Sequence, residues 1–384
     1  MASFHSVTFE LELYFEDADV DADASFIGAK FNAATNFRGS TFRYTSDFKF
    51  AEFKEFADFG SAVFGAAIFG KATFNNIAAF RSSRFSGDAK FNEATFEGPT
   101  DFGFATFRGI AQFGSAVFKD ELRFLGTVAH RWWDGSPGEP MALGTNPTLD
   151  IQHTRIDKPE RVSFHTLILR PHWFVNVDSR KFIFTDVSWE WDRISIKQEL
   201  TALDAKEVSS PNRLLAIACR QLAENAEANN RYEEASRFRY WAMDLARRTK
   251  WKGWSFWKTD WLHMFYWAVS GYGERIRNAL SVLAAVWVVF AFLYTQVGFE
   301  QKPPKPSNDS PSSATAASIT VEDRIGQPLT LNRALTYSLA VMSLQKPERQ
   351  PVTNWAHTLV TLEAILGPVQ AALLALAIRR KFMR

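Results

Sequence analysis

The chain has 384 residues and a formal net charge of +2, which is long enough for two or three domains. Its single cysteine, Cys219, excludes an internal disulfide and indicates a reducing compartment. The N-terminus is acidic and has no basic region followed by an apolar core, so neither a secretory signal nor export of the N-terminal domain is expected. The mean hydropathy of −0.18 averages a long polar part with apolar segments near the C-terminus.

Phenylalanine recurs through the first third of the chain at spacings that mostly alternate between five and six residues. The spacing slips to strict fives only from Phe59 to Phe74. Ala, Ser or Thr stands two residues before nearly every member, and the register extends back to Phe4. The regular members are Phe26, Phe31, Phe37, Phe42, Phe48, Phe53, Phe59, Phe64, Phe69, Phe74, Phe80, Phe85, Phe91, Phe96, Phe102, Phe107, Phe113, Phe118 and Phe124. Neither a helix period of 3.6 nor a strand period of 2 produces this pattern. A coil whose flat faces each point one large and one small side chain inward does produce it.

This repeat, as in FNEATFEGPTDFGFATFRGIAQF at 91–113, resembles the pentapeptide-repeat family in its Phe-centred variant. The resemblance covers residues 4–124 and implies a right-handed, four-sided parallel β-helix over 1–128, with the Phe side chains as its core. About 22 residues per coil give about five to six coils, which rise roughly 26 Å at the ~4.8 Å spacing of neighbouring strands. Such a solenoid has two open ends that need covering or pairing.

Residues 129–195 are predicted to continue the β-helix less regularly. They include a loop rich in Gly and Pro at 132–147, and the looser pattern begins at Leu149. Basic and aromatic residues interleave along this stretch. They are Arg155, Arg161, His165, Arg170, His172, Trp173, Arg180 and Lys181. Such a surface could stack bases and hold phosphates of an oligonucleotide. The simpler interpretation is that these residues occupy solvated strand positions beside a core.

Residues 211–250 show two runs of helical spacing around a turn, and resemble one tetratricopeptide-type hairpin. The second helix is basic, which is typical of a solvated face but also of a site for an anionic ligand or a lipid headgroup. Its arginines Arg231, Arg237 and Arg239 therefore join the candidate oligonucleotide-binding residues. Residues 251–275 hold five Trp residues at short intervals just ahead of an apolar segment, which predicts an interfacial helix at headgroup depth; the alternative is a buried core helix.

Two apolar segments, 279–298 and 355–378, each reach the roughly 20 residues needed to cross a bilayer, whereas the segment 329–344 between them is too short to span it upright. This middle segment is therefore predicted to be a re-entrant helix. Basic residues flank both spans, at Arg275 and Arg277 and again at 379–384. The positive-inside rule then places the N-terminal domain and the C-terminus in the cytoplasm, and the low-complexity residues 299–328 outside as a disordered loop.

This order of span, outside loop, short re-entrant helix and span resembles the two-helix pore module of ion channels. LTLNRALTYSLAVMSL, at 329–344, is similar to a pore helix. The Gly-rich filter run of a potassium channel is missing, because the chain instead continues as Gln345, Lys346, Pro347, Glu348 and Arg349. Without a ladder of filter carbonyls, potassium selectivity loses its physical basis. Lys346 and Arg349, repeated around a ring, would repel cations, so the expected pore is anion-preferring or weakly selective.

Three further features of the second span supply candidate pore residues. Glu363 is its only ionisable residue and is expected either to line a water path or to pair with Arg333 or the chain terminus. Gly367 and Pro368 permit a bend that could act as a gate, although Pro is also tolerated as a passive kink. Gln370 is expected to share the face of Glu363.

The predicted fold is therefore mixed: a pentapeptide-repeat β-helix, an α-helical connector, and a two-helix pore module with a re-entrant helix. The pattern predicts a homo-oligomeric channel in a bacterial inner membrane, tetrameric by analogy with other two-helix modules, with membrane lipid as a partner and no cofactor. It resembles membrane effectors of bacterial phage-defence systems such as Hailong, which implies gating by a nucleotide or oligonucleotide signal and a partner protein that makes or senses it. The alternative is a membrane-anchored β-helix scaffold that conducts nothing. Neither catalytic nor metal-ligand spacing is found in the sequence, so an enzyme is not expected.

Overall fold

The computed structural model describes residues 2–126, 148–189, 193–250, 269, 276–301, 327–345 and 349–382. These residues form two compact units, Met1–Thr249 and Lys250–Arg384. Several predicted features lie outside the described residues. They are the Gly- and Pro-rich loop, the Trp-rich helix apart from residue 269, most of the outside loop, and Lys346, Pro347 and Glu348.

Short strands make up most of the first unit. In chain order they are β1 (Ala2–Ser3), β2 (Thr8–Phe9), β3 (Leu13–Tyr14), β4 (Asp19–Val20), β5 (Ala24–Ser25), β6 (Lys30–Phe31), β7 (Thr35–Asn36), β8 (Thr41–Asp47), β9 (Glu52–Phe53), β10 (Ala57–Asp58), β11 (Val63–Ile68), β12 (Thr73–Phe74), β13 (Ala78–Ala79), β14 (Arg84–Phe85), β15 (Ala89–Lys90), β16 (Thr95–Phe96), β17 (Thr100–Asp101), β18 (Thr106–Phe107), β19 (Ile110–Gln112), β20 (Val117–Phe118), β21 (Leu122–Leu125), β22 (Thr148–Asp150), β23 (Arg155–Ile156), β24 (Val162–His165), β25 (Ile168–Leu169), β26 (Ile183–Thr185) and β27 (Ser188–Trp189). Two 3₁₀ turns, Pro159–Arg161 and Pro171–Phe174, interrupt the later coils.

Strands one coil apart pair in parallel and build sheets that run along the solenoid. One 8-stranded sheet runs in the order β26-β24-β21-β17-β13-β10-β7-β3, and a 7-stranded sheet runs from β2 to β23. A 10-stranded sheet covers the remaining two faces, because the long strands β8 and β11 continue around a corner and pair with strands of both. The chain therefore forms a parallel β-solenoid of about 8 turns. This confirms the β-helix predicted from the repeat and its looser continuation.

The repeated Phe side chains form ladders inside the solenoid. Phe37, Phe59 and Phe80 lie on successive coils, with ring centroids 5.0 Å and 4.9 Å apart and ring planes parallel to within 3°. All three are fully buried, and so are small residues such as Ala62 and Ala72 at the intervening positions. Each face therefore contributes one large and one small side chain to the core, as the spacing predicts.

The alternation of five and six residues reflects two kinds of corner. In the regular coils from Phe4 to Phe118, a residue with left-handed backbone stands two positions after every second inward-facing large side chain, always inside a five-residue spacing, and four residues of the later coils share this conformation. These residues are Ser6, Asp17, Gly28, Gly39, Phe50, Ser61, Lys71, Ser82, Glu93, Phe104, Ser115, His153, Thr166, Asn176 and Asp186. The remaining corners turn without a left-handed residue and normally use six residues.

The slip in the repeat has a local structural cause. From Phe64 to Phe69 the corner uses five residues instead of six, and the pairing of β8 with β11 shifts register between Phe64 and Ala66. A Cβ on Gly65 would lie 2.4 Å from the carbonyl oxygen of Arg43. Only glycine fits where the shortened corner brings the two coils so close.

Three helices follow the last strand: α1 (Arg193–Asp204), α2 (Pro211–Ala228) and α3 (Tyr232–Lys250). Their buried residues belong to the same hydrophobic core as the Phe ladders. The amide nitrogen of Asn225, on α2, donates to the carbonyl oxygens of Ser179, Arg180 and Phe182 at 3.2, 3.0 and 2.7 Å. The helical hairpin therefore covers the C-terminal end of the solenoid and satisfies main-chain acceptors of its final coil.

The second unit contains α4 (Ile276–Tyr294), α5 (Leu331–Met342) and α6 (Asn354–Phe382). The strands β28 (Gly298–Gln301), β29 (Gln327–Pro328) and β30 (Arg349–Pro351) form a small antiparallel sheet in the order β29-β28-β30. Two helices are long and apolar enough to cross a membrane, Ile276–Tyr294 and Asn354–Arg379. Only 17% of the most apolar 18-residue stretch of each helix is buried within the chain. Helix α6 continues through Pro368 without interruption.

Candidate functional site

The short helix α5 packs lengthwise against both long helices. The indole N–H of Trp287 on α4 donates to the carbonyl oxygen of Leu335 at 2.9 Å. At the other end of α5, Met342 lies so close to Gly367 on α6 that a Cβ there would be 2.9 Å from the Cγ of Met342. Gly367 therefore allows α5 and α6 to pack closely within one chain. This role is separate from the bend at Gly367 and Pro368 that the sequence suggests as a gate.

The contact with Gly367 marks the depth that α5 reaches. Gly367 lies near the middle of the 29-residue helix α6, about 20 Å from the start of that helix at 1.5 Å per residue. The small sheet adjoins the end where α6 begins, because β30 leads into α6 and pairs with β28, which follows α4. Helix α5 therefore descends from this end to about the middle of the second span.

The return segment, residues 343–345, is the non-helical chain that leaves α5 at this depth. Leu344 has left-handed backbone with φ of 57°, and the main-chain N–H of Gln345 donates to the carbonyl oxygen of Ala340 at 2.9 Å. The side chains of the segment are exposed in the single chain, that of Leu344 by 69%. In hydrocarbon, non-helical backbone is tolerated only where protein covers it or where it lines a water-filled cavity.

Two polar residues in the middle of α6, Glu363 and Gln370, do not lie on a free surface. Glu363 is fully buried, and its carboxylate accepts a hydrogen bond from the Tyr294 hydroxyl and contacts the Ser338 hydroxyl. In the single chain Glu363 therefore faces neither a free surface nor Arg333, which is exposed. The chain terminus, its other expected partner, lies outside the described residues. The cost of a polar group within the span is instead met by hydroxyl groups inside the chain.

Gln370 shares the buried face of Glu363, as expected. Its amide nitrogen donates to the carbonyl oxygens of Ala279 at 2.8 Å and Val269 at 3.3 Å. It therefore joins α6 to the start of α4 and is likewise not a pore-lining side chain in the single chain. The buried stripe of α6 consists of Ala356, Glu363, Gly367, Gln370 and Ala377.

The opposite face of α6 is exposed along its length. At helical spacing it carries Thr358, Thr361, Ile365, Val369, Ala372, Leu376 and Arg379. This free face carries hydroxyl groups near the sheet, is apolar from Ile365 to Leu376, and ends at Arg379. At the sheet end, Arg349 lies in β30 and is partly exposed. Near the middle of α6, Gln345 is exposed in the return segment. Lys346 lies outside the described residues.

Two of the candidate oligonucleotide-binding residues on the solenoid, Trp173 and His172, are buried in its core. Trp173 is 1% exposed and His172 is 2% exposed, because the 3₁₀ turn Pro171–Phe174 turns both inward. The main-chain N–H and Nδ1 of His172 both contact Oε2 of Glu199, on α1, at 2.9 and 2.5 Å. Neither ring is available to stack on a base, which corrects that expectation.

The cations of this stretch are largely engaged by nearby carboxylates. Arg155 pairs with Asp157, and Lys158 and Arg161 both pair with Asp120. The two hydrogen bonds to Asp120 lower the pKa of that carboxyl. Hydrogen bonds from Arg180 likewise lower the pKa of Asp178 and raise the pKa of the Arg180 guanidinium. Lys181 is exposed, and His165 and Arg170 are partly buried.

The arginines of the helical hairpin show the same pairing. Arg231 donates to Glu234 and to the side-chain oxygen of Asn225, Arg237 donates to Glu233, and Arg239 donates to Glu227. Phosphates would have to displace these carboxylates. The structure therefore favours the solvated and locally paired interpretation for the candidate oligonucleotide residues as a group.

Sequence reasoning missed Tyr294, Ser338 and Trp287, which surround Glu363. Tyr294 is 69 positions and Ser338 is 25 positions away from Glu363 in the chain. A Tyr at the end of an apolar helix is also typical of an interfacial belt. Ser338 lies beside small and apolar residues, so only its helical spacing from the other buried positions of α5 could have indicated an inward face.

Residues 91–131 match the family model of pentapeptide repeats, described as nine copies. The match covers the central coils and supports the assignment of a pentapeptide-repeat β-solenoid to the first unit. No curated protein sequence matches the chain. No solved structure matches it either.

Proposed function

We propose that the protein is a homo-oligomeric membrane pore whose wall includes the return segment and the free face of α6. The observation that carries this proposal is the return segment itself, non-helical and exposed at about the middle depth of α6. Its three N–H groups donate to carbonyl oxygens of α5, but lipid offers no hydrogen-bond donor to its own carbonyl oxygens, whereas neighbouring copies and a water-filled cavity do. A helix hairpin serving only as an anchor has no need to insert a short helix to this depth.

The distribution of exposed side chains supports several copies around one axis. Beyond Ser281 the exposed residues of α4 are apolar, including Val288, Val289 and Phe292, and suit contact with lipid. The free face of α6 instead begins with Thr358 and Thr361 before it becomes apolar. With α6 inside the ring, hydroxyl groups line the wider part and Ile365 and Val369 form a constriction. Four copies is the number that the resemblance to two-helix pore modules implies.

The proposed pore does not select potassium by coordination. The return segment contributes Ser343, Leu344 and Gln345, and a single left-handed residue does not provide a stack of carbonyl rings. The positive side chain of Arg349 lies at the sheet end, where ions would enter. Each copy adds one such charge to the ring, which supports an anion-preferring or weakly selective pore.

An apolar constriction can close a pore by excluding water. We propose this as the closed state, with the β-solenoid and its helical cap as the parts that receive a signal. The candidate oligonucleotide-binding residues that the structure describes are mostly buried or paired with carboxylates, so the proposal assigns no chemical class to the signal. A role in depolarising phage-infected bacteria rests only on the resemblance in domain order, and an infection assay comparing wild-type and pore-defective cells tests it.

A flux experiment separates the pore from the scaffold. Purified protein in liposomes containing a chloride-quenched dye should admit chloride, and Val369→Thr should raise the rate at least severalfold because a hydroxyl wets the constriction. Val288→Thr is the matched control, since Val288 is equally exposed, at 52% against 49%, but lies on α4. Absence of flux from intact oligomers of wild-type and Val369→Thr protein would favour the non-conducting scaffold.

A further inference from the structure

Glu363 and its neighbours form a polar cluster that joins all three helices of the second unit. Tyr294 comes from α4, Ser338 from α5 and Glu363 from α6, and the main-chain carbonyl of Trp287 adds a second contribution from α4. Glu363 and Ser338 are fully buried, and Tyr294 is too. The pore proposal does not use this cluster, because none of its side chains reaches the free face of α6.

The hydroxyl of Ser338 has two acceptors but only one hydrogen. It contacts Oε1 of Glu363, and it also lies 3.2 Å from the carbonyl oxygen of Trp287. If Glu363 is ionised, Ser338 can donate to only one of them. If Glu363 carries a proton on Oε1, it donates to Ser338, and Ser338 donates onward to Trp287. Both contacts are then hydrogen bonds, and Oε2 still accepts from Tyr294.

The surrounding charges agree with a neutral carboxyl group. Among the described residues, no Lys or Arg lies within ion-pair distance of Glu363. The titratable groups that face it are Tyr294 from α4 and Tyr337 from α5. The Tyr337 hydroxyl is buried and has no hydrogen-bond partner among the described atoms, so it does not stabilise a negative charge. Burying an ionised carboxylate without a cation is costly in a membrane span.

We propose that Glu363 is a proton-binding site, occupied at neutral pH, and that its proton completes a hydrogen-bond chain from α6 through Ser338 of α5 to Trp287 of α4. Loss of the proton leaves a buried negative charge and forces Ser338 to give up the Trp287 carbonyl. The proton therefore fixes α5 between the two long helices. This inference concerns helix packing and does not depend on whether the protein conducts ions.

Infrared spectroscopy of the full chain in nanodiscs detects such a proton directly. At pH 7 the wild type should show the C=O stretching band of a protonated carboxyl group above the amide I band, and the band should bleach only in alkaline buffer. Glu363→Gln should remove it, whereas Glu93→Gln, which alters an exposed carboxyl paired with Lys71, should leave it unchanged. A wild-type spectrum without this band at pH 7 would overturn the proposal, and that measurement needs no variant.

Thermal unfolding gives a second, independent readout. The side-chain amide introduced by Glu363→Gln can donate to Ser338 and accept from Tyr294, so the midpoint of this variant at pH 7 should match wild type within about 2 °C. Loss of the proton breaks the buried hydrogen-bond chain through Ser338, so the wild type should lose stability as pH rises, whereas Glu363→Gln should not. A wild type that gains stability over Glu363→Gln as pH rises would contradict an occupied proton site.

Discussion

At the scale of single residues, the solenoid depends on stacked rings rather than on long strands. Most strands contain only two residues, so each coil contributes few main-chain hydrogen bonds on any one face. Offset or parallel ring stacking adds to the free energy of burial, and each Phe contacts its counterparts one coil above and below. The core is therefore a periodic structure in which each buried ring supports two neighbours.

Phe80 is a suitable position to test the ladder, because its ring stacks on Phe59 and Phe102, each 4.9 Å away. Phe80→Ala removes both contacts and leaves a cavity, which should lower the free energy of unfolding by about 3–5 kcal/mol. Phe50→Ala is the control, since Phe50 is 51% exposed, and should change it by less than about 1 kcal/mol. Equal effects of the two substitutions in chemical unfolding would contradict the ladder.

Asp120 is a second residue-scale test, because it pairs with Lys158 and Arg161, which follow it by 38 and 41 positions. The two cations lower the pKa of Asp120 in the folded state. The contribution of these ion pairs to stability is therefore complete above the pKa of Asp120 in the unfolded chain, and it disappears as pH falls through the pKa of Asp120 in the folded state. Asp120→Asn should lower the melting temperature by about 1–3 °C at pH 7 and by less at about pH 2.

The control for Asp120 is Glu160→Gln, which alters an exposed carboxyl in the neighbouring 3₁₀ turn. It should leave the melting temperature unchanged at both pH values. A difference between Asp120→Asn and wild type that is as large at about pH 2 as at pH 7 would show that packing, not charge, links the two coils.

At the scale of elements, the two ends of the solenoid differ. At the C-terminal end, the side-chain nitrogen of Asn225 on α2 donates to three main-chain carbonyl oxygens of the final coil. The side-chain oxygen of Asn225 accepts a hydrogen bond from Arg231 at 2.7 Å. At the N-terminal end, β1, β2 and β3 are the terminal strands of their sheets. The helical hairpin is thus a structural part of the β-solenoid, and its amphipathic helices bury their apolar faces against the last coils.

Asn225→Ala should expose this dependence. It removes one donor from three main-chain carbonyl oxygens and one of the two side-chain acceptors of Arg231, which should cost about 2–4 kcal/mol of unfolding free energy. Glu224→Ala, at an exposed neighbouring position on the same helix, should cost less than about 1 kcal/mol. Both are measured by chemical unfolding followed by Trp fluorescence, and a negligible effect of Asn225→Ala would mean that the hairpin does not close the solenoid.

The elements also differ in how far the sequence predicted them. The Phe repeat specified the β-solenoid because each ring contacts residues about one coil away, so local spacing reports the tertiary fold. The stretch around His172 and Trp173 was misread because Pro171 starts a 3₁₀ turn where alternation suggested a strand. The apolar helices were predictable from composition, whereas the partners of Glu363 were not, because they come from other helices distant in the chain.

At the scale of the whole molecule, the chain combines a β-solenoid with a unit that has two helices suited to crossing a membrane. The central claim is that copies of the second unit enclose water around the return segment. Two observations support this arrangement: Met342 contacts Gly367 near the middle of α6, and Leu344 is exposed in the single chain. Neither observation depends on the length or hydropathy of the long helices.

The most direct measurement is the current through planar bilayers containing the purified protein, with potassium chloride more concentrated on one side. The account predicts discrete current steps that reverse nearer the chloride than the potassium equilibrium potential. Arg349→Glu should move the reversal potential towards that of potassium, because it replaces each positive charge at the sheet end with a negative one. Silence from an intact oligomer, or a wild-type current that reverses at the potassium potential, would contradict the account.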